Sequence, residues 1–249
     1  MKNLHKLLLL CVPFAALTAC GGSDTEDRLD VADPVVRFVH AAPNAPAVTL
    51  YRRTVAQSDA TNVNYGFTSN YFDVDTSAAD WSVKTAVGGV DVGTFSIDAQ
   101  RGNKYTVVAL ATSATTAGTY VIDDPYNKPL GSDSTRLRLM NASYNAANVD
   151  VYMNALGTDI APLTPLIAAT PFNRSGPVSG SDSVDIPGGT YQLTITAAGT
   201  KTVLFKGQLT FGANRDVLIL TVPDATQTSG VNALVSVEGT TGAAPITPI

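Results

Sequence analysis

The chain resembles itself. Arg37-Phe38-Val39-His40-Ala41-Ala42-Pro43-Asn44-Ala45-Pro46-Ala47-Val48-Thr49-Leu50-Tyr51 aligns with Arg138 to Tyr152 at an offset of 101, and six of these 15 pairs are identical. Farther on the offset is 110, pairing Val74 with Val184, Gly89 with Gly199, Gly102 with Gly212 and Leu110 with Leu220. Nine extra residues therefore lie in the second copy, between Tyr152 and Val184. Solenoid and propeller units repeat every ~20 to 50 residues, so a period of this length marks a duplicated domain. Whatever fold the residues specify, they specify it twice.

Within each copy the signal is alternation. Trp81-Ser82-Val83-Lys84-Thr85-Ala86-Val87 and Tyr191-Gln192-Leu193-Thr194-Ile195-Thr196-Ala197 alternate, with Trp81, Val83 and Val87, and Tyr191, Leu193, Ile195 and Ala197, on one face of a strand. Gly88-Gly89 and Gly199 then supply the positive φ that tight hairpins need. Tyr105 to Ala111 and Asp216 to Val222 are more continuously apolar and read as central strands. No sustained helical periodicity appears. The expected fold is all-β, two tandem immunoglobulin-like antiparallel β-sandwiches over 35–124 and 135–240. Asp123-Asp124-Pro125-Tyr126-Asn127-Lys128-Pro129-Leu130-Gly131-Ser132 breaks ladders and helices alike, so 125–134 is the expected connector. Residues 241–249, with two prolines among small residues, are expected to form a frayed, flexible tail.

The N-terminus is a targeting segment. Lys2, His5 and Lys6 precede an apolar run of 11 residues, Leu7 to Leu17, too short to cross a bilayer but long enough for a signal core. It ends in Leu17-Thr18-Ala19-Cys20-Gly21, which resembles the bacterial lipobox. The expectation is a lipoprotein signal peptide over 1–19, lipidation of Cys20, and a flexible acidic tether over 20–34 containing Asp24, Glu26, Asp27 and Asp30. Gly21, rather than Asp, after the anchored cysteine implies the outer membrane in a cell with two membranes.

Two segments carry a family resemblance. Val36-Arg37-Phe38-Val39-His40-Ala41-Ala42-Pro43-Asn44-Ala45-Pro46-Ala47-Val48, and Ile186-Pro187-Gly188-Gly189-Thr190-Tyr191-Gln192-Leu193 with the Ala198-Gly199 hairpin, resemble the DUF4397 family. The resemblance covers both repeats, 35–238. It implies an immunoglobulin-like sandwich, often in tandem in secreted and lipid-anchored bacterial proteins, and brings no established activity. The chain departs from the pattern at Asn44, Asn145 and Thr49, where the family has Asp, and the first copy has Ser77-Ala78-Ala79 in place of Pro-Gly-Gly.

Several chemistries lack their residues. Cys11 leaves with the signal segment and Cys20 is the lipidation site, so no thiol remains for disulfides, zinc or nucleophilic attack. The loss of Lys2 and Lys6 leaves 14 basic against 21 acidic side chains, a balance of −7 with no basic cluster, which disfavours nucleic acid. No phosphate cradle and no Gly-x-Ser-x-Gly elbow occurs. His40 is the one histidine of the mature chain, and its counterpart is Asn141, so it reads as a hydrogen-bonding strand-end side chain. Asp73 and Asp75 share a strand face, and Asp123-Asp124 adjoins the connector; both pairs are candidates for calcium without an EF-hand pattern. Tyr51 with Tyr152, Trp81 with Tyr191, and Phe95 with Phe205 are shared aromatics and read as core or sheet-edge side chains, with a sugar-stacking platform as the alternative. Arg52-Arg53 reads as a basic strand end that deters edge pairing. No catalytic residue, cofactor or firm metal site is assigned. The expected function is a lipid-anchored cell-envelope protein acting as a non-catalytic binding, adhesion or interaction module, touching the membrane through Cys20 and a protein or glycan ligand through its loops. The extra loop Thr158 to Ser183 is the expected contact region. An envelope polysaccharide or peptide hydrolase and a structural spacer of the envelope are the alternatives.

Overall fold

The computed structural model describes residues 32–43, 45–125, 133–226 and 230–249. The expected signal segment, the expected tether as far as residue 31 and residues 126–132 of the expected connector lie outside them. The first unit runs β1 (Val35–Ala41), β2 (Val48–Arg52), β3 (Val55–Ala56), β4 (Phe72–Asp73), β5 (Ala79–Thr85), β6 (Asp91–Ile97), β7 (Asn103–Ala111) and β8 (Ala117–Pro125). The second runs β9 (Ser134–Asn141), β10 (Asn148–Asn154), β11 (Ile167–Pro171), β12 (Arg174–Gly176), β13 (Val184–Pro187), β14 (Gly189–Ala197), β15 (Val203–Phe211), β16 (Asp216–Pro223), β17 (Val231–Val237), β18 (Ala244–Pro245) and β19 (Thr247–Pro248).

Each unit is a sandwich of two sheets. The first stacks β4-β1-β7-β8 on β3-β2-β5-β6; the second stacks β12-β9-β16-β17-β18, with β13 also on β9, against β11-β10-β14-β15-β19. Pairing is antiparallel throughout, except that β1 lies parallel to β7 and β9 to β16. The chain leaves the sheet of β1, builds the opposite sheet and returns, and such a crossover permits a parallel neighbour where a hairpin does not.

Ladder register corrects the alignment of the two copies. Leu50 pairs with Val83, and Val151, its counterpart at offset 101, pairs with Ile195. Val83 therefore corresponds to Ile195, an offset of 112. The hairpins agree: Thr85 N donates to Val90 O and Ala197 N to Thr202 O. The second copy thus holds eleven extra residues rather than nine, Trp81 matches Leu193, and the two phenylalanines face glycines, Phe95 against Gly207 and Phe205 against Gly93. A two-residue slip keeps every side chain on its own face, so the hydrophobic pattern alone does not resolve it.

The continuous apolar runs have a second cause besides centrality. Alternate residues of β1 and β7, such as Phe38 and Val107, fill the first core, and those of β9 and β16, such as Leu139 and Ile219, fill the second. The intervening residues Val39, Val108, Leu110, Met140, Leu218 and Leu220 form a third buried cluster drawn from both units. The β1–β7 sheet and the β9–β16 sheet therefore pack face to face, and each fully buried Leu there is worth ~1.5–3 kcal/mol. Ions cross this interface. Arg136 forks onto Asp216 with both bonds at 2.6 Å, while Lys104 of the first unit donates to Asp216 at 3.2 Å and to Glu238 at 2.8 Å.

The predicted frayed tail is bonded instead. β18 pairs with β17 and β19 with β15, and Ile246, 4% exposed, enters the second core between them. Gly207 makes the room: a Cβ there would lie 2.8 Å from the Ile246 side chain and from the Thr247 carbonyl. The prolines that suggested fraying fit an edge strand, where a position whose N–H would face solvent has no ladder bond to lose.

Candidate functional site

At one end of the first sandwich the loops part around a cleft of about 430 Å³. One wall is Ala42, Pro43, Ala45 and Pro46 between β1 and β2, a second is Thr85 and Val90 to Val92 of the β5–β6 hairpin, and a third is the β7–β8 hairpin. The walls are mainly small and aliphatic, with Pro43, Pro46, Val48, Val92, Ala111 and Ala117 among them; Thr85, Asp91, Ser113, Thr115 and Thr116 supply the polar groups. Among the described residues no Phe, Tyr or Trp lines it. Gly88 and Gly89, at φ +81° and +62°, turn the β5–β6 hairpin and lift Val87 and Val90 into solvent, 87% and 64% exposed, with Val90 on the cleft wall. Two exposed valines flanking a Gly-Gly turn were the sequence signal for this place, and the reading of that turn as a plain hairpin passed over it.

His40 lies at the floor, fully buried. Its Nδ1 accepts from Ala42 N at 3.4 Å and its Nε2 lies 3.2 Å from Pro46 O, so the ring is neutral and donates through Nε2. Burial lowers its pKa, outweighing the bond to Pro46. Asn141 does the same work in the second unit: Oδ1 accepts from Ser143 N at 3.4 Å, and Nδ2 donates to Ala146 O at 3.1 Å. The imidazole therefore stands in for a carboxamide that staples a loop to its own strand. Neither ring nitrogen is presented to a serine as a general base would be.

The acidic candidates are occupied. Asp75 pairs with Arg52, which also stacks 5.8 Å from the Trp81 ring, and the hydrogen bond from Arg52 holds the Asp75 carboxyl below its usual range. Asp73 lies exposed on β4, paired with Val35. Asp124 accepts from Arg138 at 3.0 Å and from Ser183, and Asp123 accepts from Asn103 at 2.9 Å, while burial pushes the Asp123 carboxyl up. A calcium ion at Asp75 or at Asp124 would have to displace an arginine, and among the described residues no group of three or more acidic, His or Cys side chains is gathered for a metal. Cys20 lies outside the described residues.

The extra loop of the second unit is pinned at several points, while much of it, Leu166 and Val178 included, stays exposed. Gly157 N donates to Gln192 Oε1 at 3.0 Å and Gln192 Nε2 to Thr158 O at 3.1 Å, laying 155–166 over the outer face of β14. Its later part forms β11 and β12, and Arg138 holds the carbonyls of Pro177 and Val178. This loop seals polar surface within its own unit and buttresses the other unit.

Among curated proteins no sequence matches the chain. The solved structures similar to it include the family 26 carbohydrate-binding module CBMbc of Eubacterium rectale in complex with maltoheptaose, at 10% identity and a TM-score of 0.23, covering 87% of this chain and 98% of that one. They also include a family 41 carbohydrate-binding module from streptococcal virulence factors, at 13% identity and a TM-score of 0.25, covering 80% of this chain and 96% of that one. Superpositions this loose carry no ligand across. A family model does match residues 34–152, which take in the first unit, β9 and most of β10: it is that of a domain of unknown function, DUF4397.

Proposed function

We propose that the chain is a non-catalytic binding module, held at the cell envelope by a lipid on Cys20, whose first unit receives an apolar segment of a partner protein in the loop-end cleft. The observation that carries this reading is the aliphatic cavity with Val90, 64% exposed, on its wall, because apolar surface around a concave apolar site is stabilised when a partner covers it. Both nitrogens of His40 are engaged in holding the floor, which favours binding over hydrolysis. A glycan site would call for an aromatic platform, and the lining has none, which favours a protein partner over a sugar. The lipobox-like Leu17-Thr18-Ala19-Cys20 supports the anchor, and Gly21 supports the outer membrane where two membranes exist.

The test uses the full acylated chain as bait for envelope proteins. Ala117→Phe fills the mouth of the cleft; His40→Asn copies the second unit's own solution and leaves the cleft open. Capture retained by His40→Asn and lost in Ala117→Phe is the expected result. Capture that ignores Ala117→Phe would remove the cleft as the site.

A further inference from the structure

The two units close the same seam, between the edge strands of their two sheets, in different ways. In the second unit the chain's own tail fills it: Gly207 and Gln208 of β15 pair with Pro248 and Thr247, Leu234 and Val235 of β17 pair with Pro245 and Ala244, and Ile246 goes between the sheets while its N–H reaches Ala233 O at 2.9 Å. The corresponding strands of the first unit, β6 and β8, are the last in their sheets, with no further strand beside them among the described residues. They pack closely at Gly93, where a Cβ would lie 2.4 Å from Thr119 Oγ1. The far end of β8 is capped by Ser179 and Gly180, which bond to Asp123. On the other side of the Gly93 contact the seam opens, and that opening is the cleft, with Val92 on one edge strand and Ala117 on the other.

We propose that the occupant of this cleft is an extended polypeptide segment that adds to β6 as a strand and seats one aliphatic side chain between the sheets. The proposal rests on the cleft being the binding site, as argued above, and fixes the chemical class of what it binds. The second unit shows the chemistry that a seam of this fold accepts: main-chain groups that continue the ladders, one branched aliphatic anchor, and prolines on the outer side. A mainly aliphatic lining without Phe, Tyr or Trp, beside an unpaired strand edge, offers the same two features and no platform for stacking a sugar.

The probe is the synthetic peptide Ala-Ala-Pro-Ile-Thr-Pro-Ile, the sequence of residues 243–249, added at up to millimolar concentration to the full chain, with amide hydrogen exchange and fluorescence anisotropy as readouts. Saturable binding that slows exchange over residues 91–93, weakens at least 10-fold when the peptide's first isoleucine is replaced by Asp, and is lost in Ala117→Phe is expected. Val90→Asp, an exposed position whose substitution leaves the core untouched, should weaken binding as well. Protection confined to β15 and β17 would report exchange with the chain's own tail and overturn the proposal, as would binding indifferent to the Asp peptide. If maltoheptaose protects the cleft and the peptide does not, the peptide class falls while the cleft stands as a binding site. If neither binds and Ala117→Phe leaves envelope capture unchanged, both readings fall.

Discussion

Replacing Ile246 by Ala tests whether the tail is a structural plug. The side chain is 4% exposed, packs with the second core and lies against Gly207, which has no Cβ to move into the space left behind. Large-to-small substitutions of buried Ile cost about 2–5 kcal/mol, the upper end where surroundings cannot collapse. Here one side of the cavity is a strap only a few residues wide that can settle inward, so about 3 kcal/mol is expected. For a body of roughly 200 residues, at about 2–4 °C per kcal/mol, that corresponds to about 6–12 °C in Tm. Urea unfolding followed by tryptophan fluorescence, with a thermal scan alongside, measures both. Trp81 is the chain's only tryptophan and lies in the first core, so its response also reports whether the packed units unfold together. A loss below about 0.5 kcal/mol, the range of ordinary surface substitutions, would mean that the tail does not sit in the seam, and the inference drawn from it would go too.

His40→Asn should leave stability within about 1 kcal/mol, whereas His40→Leu should cost about 1–3 kcal/mol because Ala42 N and Pro46 O lose their partner in a buried loop; chemical denaturation distinguishes them. The folded pKa of His40 is depressed by burial, so the unfolded chain binds the proton first: stability is full above about pH 6.5 and falls below it, and His40→Asn should flatten that slope. Asp216→Asn removes the carboxylate shared by Arg136 and Lys104 and should cost about 3–5 kcal/mol in a denaturation midpoint. Burial would raise the Asp216 carboxyl, yet Lys104 and Arg136 outweigh it and hold the pKa low, so its contribution is present above about pH 3.8 and is lost as pH falls below that. Gly93→Ala forces a Cβ into Thr119 and should cost about 1–3 kcal/mol, with Thr119→Gly in the same chain recovering part of it in a double-mutant cycle.

Much of the fold was legible because a half-buried strand must alternate. The Trp81–Val87 and Tyr191–Ala197 patterns fall on β5 and β14, and the continuous runs Tyr105–Ala111 and Asp216–Val222 on β7 and β16. What those runs did not disclose is the identity of the second covering layer: Leu110 and Leu220 face the other repeat, and an apolar outer face reads the same whether a helix, a loop or a duplicate covers it. The tail misled because Pro245 and Pro248 break central strands but suit edges, and no local pattern states which edge a distant segment will reach. His40 was legible as structural through its Asn141 counterpart. The cleft was not, since it arises where three loops remote in sequence meet; only the apolar tip around Gly88-Gly89 hinted at it.

The duplication also shows how the copies diverged. Both keep the loop staple at His40 or Asn141, which the fold needs. They differ at the seam, where one glycine admits the chain's own tail and another brings two edges together below an open mouth. Divergence at the seam, against constancy at the staple, is what a structural second unit supporting a binding first unit would produce.

The most direct measurement is photo-crosslinking in living cells, with a crosslinking amino acid placed at position 90 on the cleft rim and, in a parallel chain, at position 203 on the matching hairpin of the second unit. A discrete protein adduct from position 90, absent from position 203 and lost when Ala117→Phe is added, is the result expected. Equal adducts from both hairpins, or an adduct from position 90 that survives the filled cleft, would contradict it.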